Sequence, residues 1–127
     1  MMLFNSEFVI AMSRRPGSAL RMRAETFLGE HQPAGLYISR VTSCEVAVGC
    51  ESRGQADFLL CDFTPLEIND EVAWCASRVA RELKGTGLHI GDNDVWLAAT
   101  ALAYGLPLVS NNKRHLGRVT GLDLRGY

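Results

Sequence analysis

Gly91-Asp92-Asn93-Asp94-Val95-Trp96-Leu97-Ala98-Ala99-Thr100-Ala101-Leu102-Ala103-Tyr104-Gly105-Leu106-Pro107-Leu108-Val109-Ser110-Asn111-Asn112 decides the fold of this 127-residue chain. It reads as one helix followed by one strand. The body from Val95 to Ala103 is almost wholly apolar and rich in alanine. A helix that is apolar all round is buried. Gly105 ends it, Pro107 stops it from resuming, and Leu106 to Val109 reads as a buried strand. At roughly 100° per residue, Ala98 and Ala101 lie within about 40° of Asp94, so Asp94 faces along the apolar arc. An inward carboxylate needs a partner or a cation. Asp92 projects roughly 160° away on the same count. Asp92 or Asn93 is the natural N-cap, and both acids also complement the helix dipole.

Working outward, Met1 to Phe4 reads as a strand and Ser6 as the cap of a helix over Glu7 to Arg15. Pro16-Gly17-Ser18 breaks it, and Ala19 to Glu30 reads as an amphipathic helix. Leu36 to Ile38 is a second strand. Thr42-Ser43-Cys44-Glu45 has the S/T-x-x-E form of a capping box, opening a helix that Arg53-Gly54 interrupts. A short helix ends over Phe58 to Cys61. Thr64 to Ile68 is a strand that admits Pro65 near an edge or a start. Asn69-Asp70 caps a helix over Val72 to Lys84. Asn112 to Arg118 is a short basic turn or helix, and Leu122 to Arg125 is a last strand. Strands alternating with helices predict an α/β domain spanning residues 1–127, with a mostly parallel central sheet flanked by helices on both faces in three α/β/α layers.

The length suits one domain with a real core. The net charge of −1 supplies no global basic field, so contact with nucleic acid has to be local. No apolar run reaches membrane-spanning length, and no signal peptide is visible. Cys44, Cys50, Cys61 and Cys75 form no C-x-x-C pair and have no histidine at zinc-finger spacing. They are expected to be free core thiols of a cytoplasmic protein.

Ligands of open α/β sheets bind beyond the carboxyl ends of the strands. Asn5 and Ser6 follow the first strand, the Thr42–Glu45 turn follows the second, and Ser110, Asn111 and Asn112 follow the Leu106–Val109 strand. Asp94 opens the central helix. Oxygen-rich sets of this kind suit magnesium or manganese. A receiver-type signalling domain, which needs a different arrangement of acids and lysine, is a poor match, and no glycine-rich phosphate loop is present.

Asp94-Val95-Trp96-Leu97-Ala98-Ala99-Thr100-Ala101 followed by Gly105-Leu106-Pro107-Leu108-Val109-Ser110-Asn111-Asn112 resembles the PIN-domain ribonucleases, especially the VapC toxins of bacterial toxin–antitoxin pairs. Arg114-His115-Leu116 through Gly121-Leu122 is also similar to that family's ending. The resemblance runs the length of the chain, with residues 46–62 shorter than the family's helical hairpin. It implies metal-dependent cleavage of RNA by an endoribonuclease using Mg2+, or Mn2+ in its place. It places Asp94, Glu45 and the position of Asn5 at the metal, with Asn112 completing the catalytic set and Ser6, Ser110 and Asp92 in support. Arg14, Arg15, Lys113, Arg114 and Arg118 are the expected RNA contacts. The implied partners are a VapB-like antitoxin, a tRNA or rRNA substrate and a second copy of the chain in a homodimer.

Asn5 departs from the pattern, because the family carries an aspartate there. A carboxamide keeps the shape and loses a charge, so the resemblance implies a weakened or inactive nuclease. Asn5 is either native to a weak member or a residue introduced to disarm a toxic enzyme; the intact remainder of the site favours the latter. The alternative is a catalytically inactive PIN-like module that binds RNA or antitoxin without cutting.

Overall fold

Met2, Leu3 and Phe4 are all buried, and the reason is their position in the sheet. A computed structural model describes residues 1–127. In chain order it runs β1 (Met2–Phe4), α1 (Ser6–Met12), α2 (Ala19–His31), β2 (Leu36–Ser39), α3 (Arg40–Val48), α4 (Arg53–Leu60), β3 (Thr64–Leu66), α5 (Asp70–Thr86), α6 (Asp92–Tyr104), β4 (Leu108–Val109), α7 (Lys113–Leu116) and β5 (Leu124–Arg125). The five strands form one sheet in the order β3-β2-β1-β4-β5, and every pairing is parallel. β1 is therefore the central strand, covered on both faces. The parallel sheet between helices agrees with the α/β expectation.

The alternation of β1 sorts the core into two layers. Met2 and Phe4, with Ile38 and Val109, pack against Phe8 and Val9 of α1, Ala24 and Phe27 of α2 and Val46 of α3. Leu3, with Leu108, packs on the opposite face against Val79 and Leu83 of α5 and Leu97, Ala98 and Ala101 of α6. Burying an aromatic side chain as completely as Phe4 or Phe8 stabilises the fold by about 1.5–3 kcal/mol. Their ring centroids lie 4.4 Å apart, and Phe27 meets Phe4 edge-on at 6.2 Å. Alanines on α6 let α5 approach closely: Val72 and Ala76 pack directly on Ala99. Gly105 caps α6 with φ +65°, the left-handed conformation glycine adopts freely.

Several local expectations are corrected. Asn5, not Ser6, caps α1, accepting the Phe8 N–H on its side chain, and the helix stops at Met12. Both residue types can cap; the extended backbone at Asn5 (φ −79°, ψ 171°) decides between them. Strand β2 runs straight into α3 with Ser39 as cap, so Thr42 and Glu45 lie inside the helix and form no capping box. The break before α4 falls at Gly49–Ser52, with Ser52 as its cap, not at Arg53-Gly54. Gly91 caps α6 without a side-chain hydrogen bond, which places Asp92 and Asn93 in its first turn. The four cysteines are free, but none is a core thiol: Cys44 and Cys61 are exposed, Cys50 and Cys75 half-buried. No helix is long and apolar enough to cross a membrane.

Candidate active site

The order β3-β2-β1-β4-β5 reverses direction beside β1. The chain builds outward through β2 and β3, then returns to add β4 and β5 on the other flank. Such a switch point opens a crevice at the carboxyl ends of the two strands that flank it. Here those strands are β1 and β4, and the next residues on them are Asn5 and Ser110.

Asn5 and Ser110 are both buried and directly bonded: the Asn5 Nδ2 donates to Ser110 Oγ at 2.9 Å. The Asn5 Oδ1 accepts the Phe8 N–H at 3.0 Å. Each end of this carboxamide is thus assigned, and its orientation follows from the bonds. Ser110 Oγ also accepts the Asn112 N–H at 3.1 Å, which shapes the turn after β4. Asn112 in turn caps α7 and reaches Asp94 Oδ2 through Nδ2 at 3.4 Å. His115 approaches the same oxygen through Nδ1 at 3.3 Å. Both bonds are long and correspondingly weak.

A chain of polar groups therefore runs Asn5, Ser110, Asn112, Asp94, His115 along the rim. Asp94 is half-buried in the first turn of α6, facing α7. The helix N-terminus favours its charge, and two donors surround it. Glu45 is half-buried on α3, the helix that packs against both α1 and α6, and makes no hydrogen bond or ion pair within the protein. A carboxylate kept without a partner at this end of the sheet is available to a ligand.

The expected supporting and RNA-contacting residues divide. Ser6 opens α1 and is half-buried beside the cap. Asp92 is exposed and makes no bond to the rim. Arg14, Arg15, Lys113 and Arg114 are exposed. Arg118 is instead half-buried and committed: its Nη1 donates to the His89 carbonyl at 2.8 Å, which ties the loop before α6 to the turn after α7. His115 is the site residue that sequence reasoning passed over. Its position one helical turn after Asn112, on a helix too short to bury it, was the available signal.

A divalent cation was expected on Asp94, Glu45 and Asn5. No three His, Cys, Asp or Glu side chains come together at a spacing that could hold a metal ion. With a carboxamide at position 5 the set contains two carboxylates, and the oxygen of that carboxamide is already the cap of α1. Asp94 and Glu45 are the carboxylates that would hold a divalent cation here, with water filling the remaining positions.

Comparison with known proteins agrees with this geometry. The PIN domain family matches the chain over residues 6–122. The chain is similar to Ribonuclease VapC1 of Methanocaldococcus jannaschii, 31% identical over 96 residues, which is 73% of this chain and 71% of the relative. It is equally similar to Ribonuclease VapC2 of Haemophilus influenzae, 31% identical over 105 residues, 76% of this chain and 80% of the relative. Among solved structures, VapBC-1 from nontypeable Haemophilus influenzae superposes with a TM-score of 0.79 at 25% identity, covering 98% of this chain and 96% of that one. VapBC2 from Rickettsia felis, bound to a DNA fragment from their promoter, superposes with a TM-score of 0.80 at 20% identity over 99% and 98% of the two chains, a likeness of fold. A polar rim at the β1–β4 switch point, a family match over nearly the whole chain and relatives of this similarity together place it: this chain belongs to the PIN-domain family, with the VapC-type ribonucleases.

Proposed function

We propose that this chain is the toxin component of a toxin–antitoxin pair, built to cleave RNA at a phosphodiester bond and impaired by the carboxamide at position 5. The observation that carries the reading is the convergence of Asn5, Ser110, Asn112 and Asp94 by direct hydrogen bonds, with Glu45 unpaired on the helix that packs against α1 and α6. Asn5 sits buried at the carboxyl end of the central strand, where a carboxylate would complete a three-acid set with Asp94 and Glu45. The expected cation, magnesium or manganese, belongs with that carboxylate and not with the carboxamide.

Support for the partner comes from the relatives. VapBC-1 from nontypeable Haemophilus influenzae and VapBC from Salmonella typhimurium are complexes, the latter bound to DNA. By that likeness this chain pairs with a VapB-like antitoxin; a homodimer and an RNA substrate, a tRNA or rRNA, complete the reading. Single-stranded and loop RNA expose their base faces and backbone to local side chains, which suits a protein without a global basic field.

The test is Asn5→Asp. The variant is expected to cleave RNA in magnesium and to lose that activity with a chelator, while the parent chain stays far slower. An inert Asn5→Asp chain that still folds overturns the nuclease reading. One observation favours a second reading: the Asn5 carboxamide, its oxygen already capping α1, suits a PIN-like module that holds RNA or antitoxin without cutting. Retained binding with no cleavage by Asn5→Asp selects it.

A further inference from the structure

A sizeable cavity lies beside the polar rim, not in it. It has a volume of about 640 Å³ and is formed between α2, the turn after β4 and the end of the chain. Arg23, Phe27, His31, Asn111, Lys113 and Tyr127 line it. Asn111 stands between Ser110 and Asn112, so the cavity opens one residue from the site described above. A smaller cavity of about 240 Å³ shares Arg23, Asn111 and Tyr127 and extends to Arg14 and the first turns of α1. The two make one trench along the carboxyl edge of the sheet.

Two features of this trench are built. The first is a fixed aromatic platform. The His31 ring stacks on Phe27 with centroids 3.9 Å apart and planes at 18°. His31 Nδ1 lies 2.9 Å from the Phe27 carbonyl oxygen. A carbonyl only accepts, so Nδ1 carries the proton and the ring is held flat. Phe27 is buried while His31 is exposed, which leaves the outer face of the imidazole free. The second is the wall. Tyr127 is held by its backbone N–H on Asn111 Oδ1 at 2.7 Å and by its ring against Phe8 at 4.9 Å.

The charges of the trench are uncommitted. Arg23 and Lys113 make no ion pair and no side-chain hydrogen bond, although Arg21, Arg40 and Arg125 all do. Glu30 lines the larger cavity and Glu7 the smaller one, and both repel a phosphate. Anion binding therefore falls to Arg23 and Lys113 themselves, and the flat platform is left for an uncharged ring.

We propose that this trench is a nucleotide subsite for single-stranded RNA, with a base stacked on the outer face of His31 and the backbone phosphates on Arg23 and Lys113. It rests on the ribonuclease reading and gives that reading a path for the strand: RNA lies along α2 and reaches the Asn5–Asp94 rim past Asn111. Stacking on a flat side chain beside basic groups is how proteins hold single strands without reading sequence. A protein partner would use the same cations but has no need of the platform.

The experiment is anisotropy titration of the full chain with a short fluorescein-labelled single-stranded RNA, without divalent cation. His31→Ala is expected to weaken binding roughly 5- to 150-fold with an unchanged salt slope, and His31→Phe to restore it. Arg23→Ala and Lys113→Ala each lower the slope of log affinity against log salt by about 0.7, the single-strand value per phosphate contact. Arg81→Ala, on α5, leaves binding unchanged. Cleavage by the same variants in the Asn5→Asp background is measured in parallel. Cleavage and RNA affinity both unaltered overturn the subsite and leave the nuclease reading standing. RNA bound through these residues with no cleavage supports the subsite and overturns the nuclease reading. If His31→Ala has no effect and a glutamate-rich peptide binds as tightly as RNA through Arg23 and Lys113, the trench is an anion-docking surface for protein and the subsite falls.

Discussion

Asn5 and Ser110 are 105 positions apart and joined by a hydrogen bond of 2.9 Å between buried side chains. The bond crosses the β1–β4 boundary where strand order reverses. It couples the cap of α1 to the turn that carries Asn112, and through Asn112 to Asp94. Local damage here is therefore felt by both helices and by the carboxylate.

Ser110→Ala removes the acceptor shared by Asn5 and the Asn112 N–H and leaves the Asn5 Nδ2 without its partner. The expected cost is about 1–3 kcal/mol, the penalty for an unpaired buried donor. Urea unfolding of the two chains measures it. A midpoint equal to the parent's would mean that water or a shifted Asn112 replaces the hydroxyl.

Asn5→Asp keeps a cap on α1, because Asp and Asn cap equally well. It also places a charge at a position only 6% exposed, on the rim that carries Asp94. Without metal, a stability loss of about 1–3 kcal/mol is expected at pH 7. Magnesium should raise the Tm of this variant and not that of the parent; an equal shift in both contradicts the coupling of cation to position 5.

Ala98→Leu tests the alanine-rich face of α6. Ala98 is fully buried against Leu3 and Leu108 of the sheet and α5. Extra methylenes have no space there, and overpacking costs about 1–3 kcal/mol. Thermal unfolding followed by circular dichroism checks it. Met22→Leu, at an exposed position on α2, should lie within about 0.5 kcal/mol of the parent.

Tyr127 gives an alkaline signature. Burial, and next the nearby Glu7, push its phenol up to about 12, with Arg23 opposing. The unfolded phenol ionises near pH 10. The folded state thus holds this proton longer, and stability is fully present below about pH 10 and lost as pH rises through 12. The ring is only half-buried, so solvent screening leaves on the order of 1 kcal/mol. Tyr127→Phe should flatten the decline between those pH values in urea melts. An unchanged decline assigns it to other groups.

Much of this was legible in residue order. Periodicity of 3.6 and the Gly105–Pro107 stop located α6 closely, and the short apolar runs located the strands, though β4 begins at Leu108 and β5 is only Leu124–Arg125. The caps were less legible. Asn5 and Ser6 are both cap residues, as are Ser39 and Thr42. The winner in each pair is set by where the strand before it stops pairing: Asn5 N–H still bonds the Val109 carbonyl, and Ser39 still pairs with Leu66.

The stretch Gly91–Asn112, with the apolar runs around it, determined by itself the α/β class, the inward-facing acid Asp94 and the resemblance to PIN-domain ribonucleases. These rest on short-range chemistry: side-chain period, glycine and proline stops, and residue types at fixed spacing. Only the tertiary structure decided that Asn5 bonds Ser110, that His115 joins Asn112 on Asp94, that Arg118 is spent on the His89 carbonyl, and that His31 and Tyr127 frame a trench beside the rim. Each of these depends on which strands lie side by side and on where the helix ends are fixed. The sheet order β3-β2-β1-β4-β5 is set by burying both faces of β1, a global condition that no local window of sequence contains.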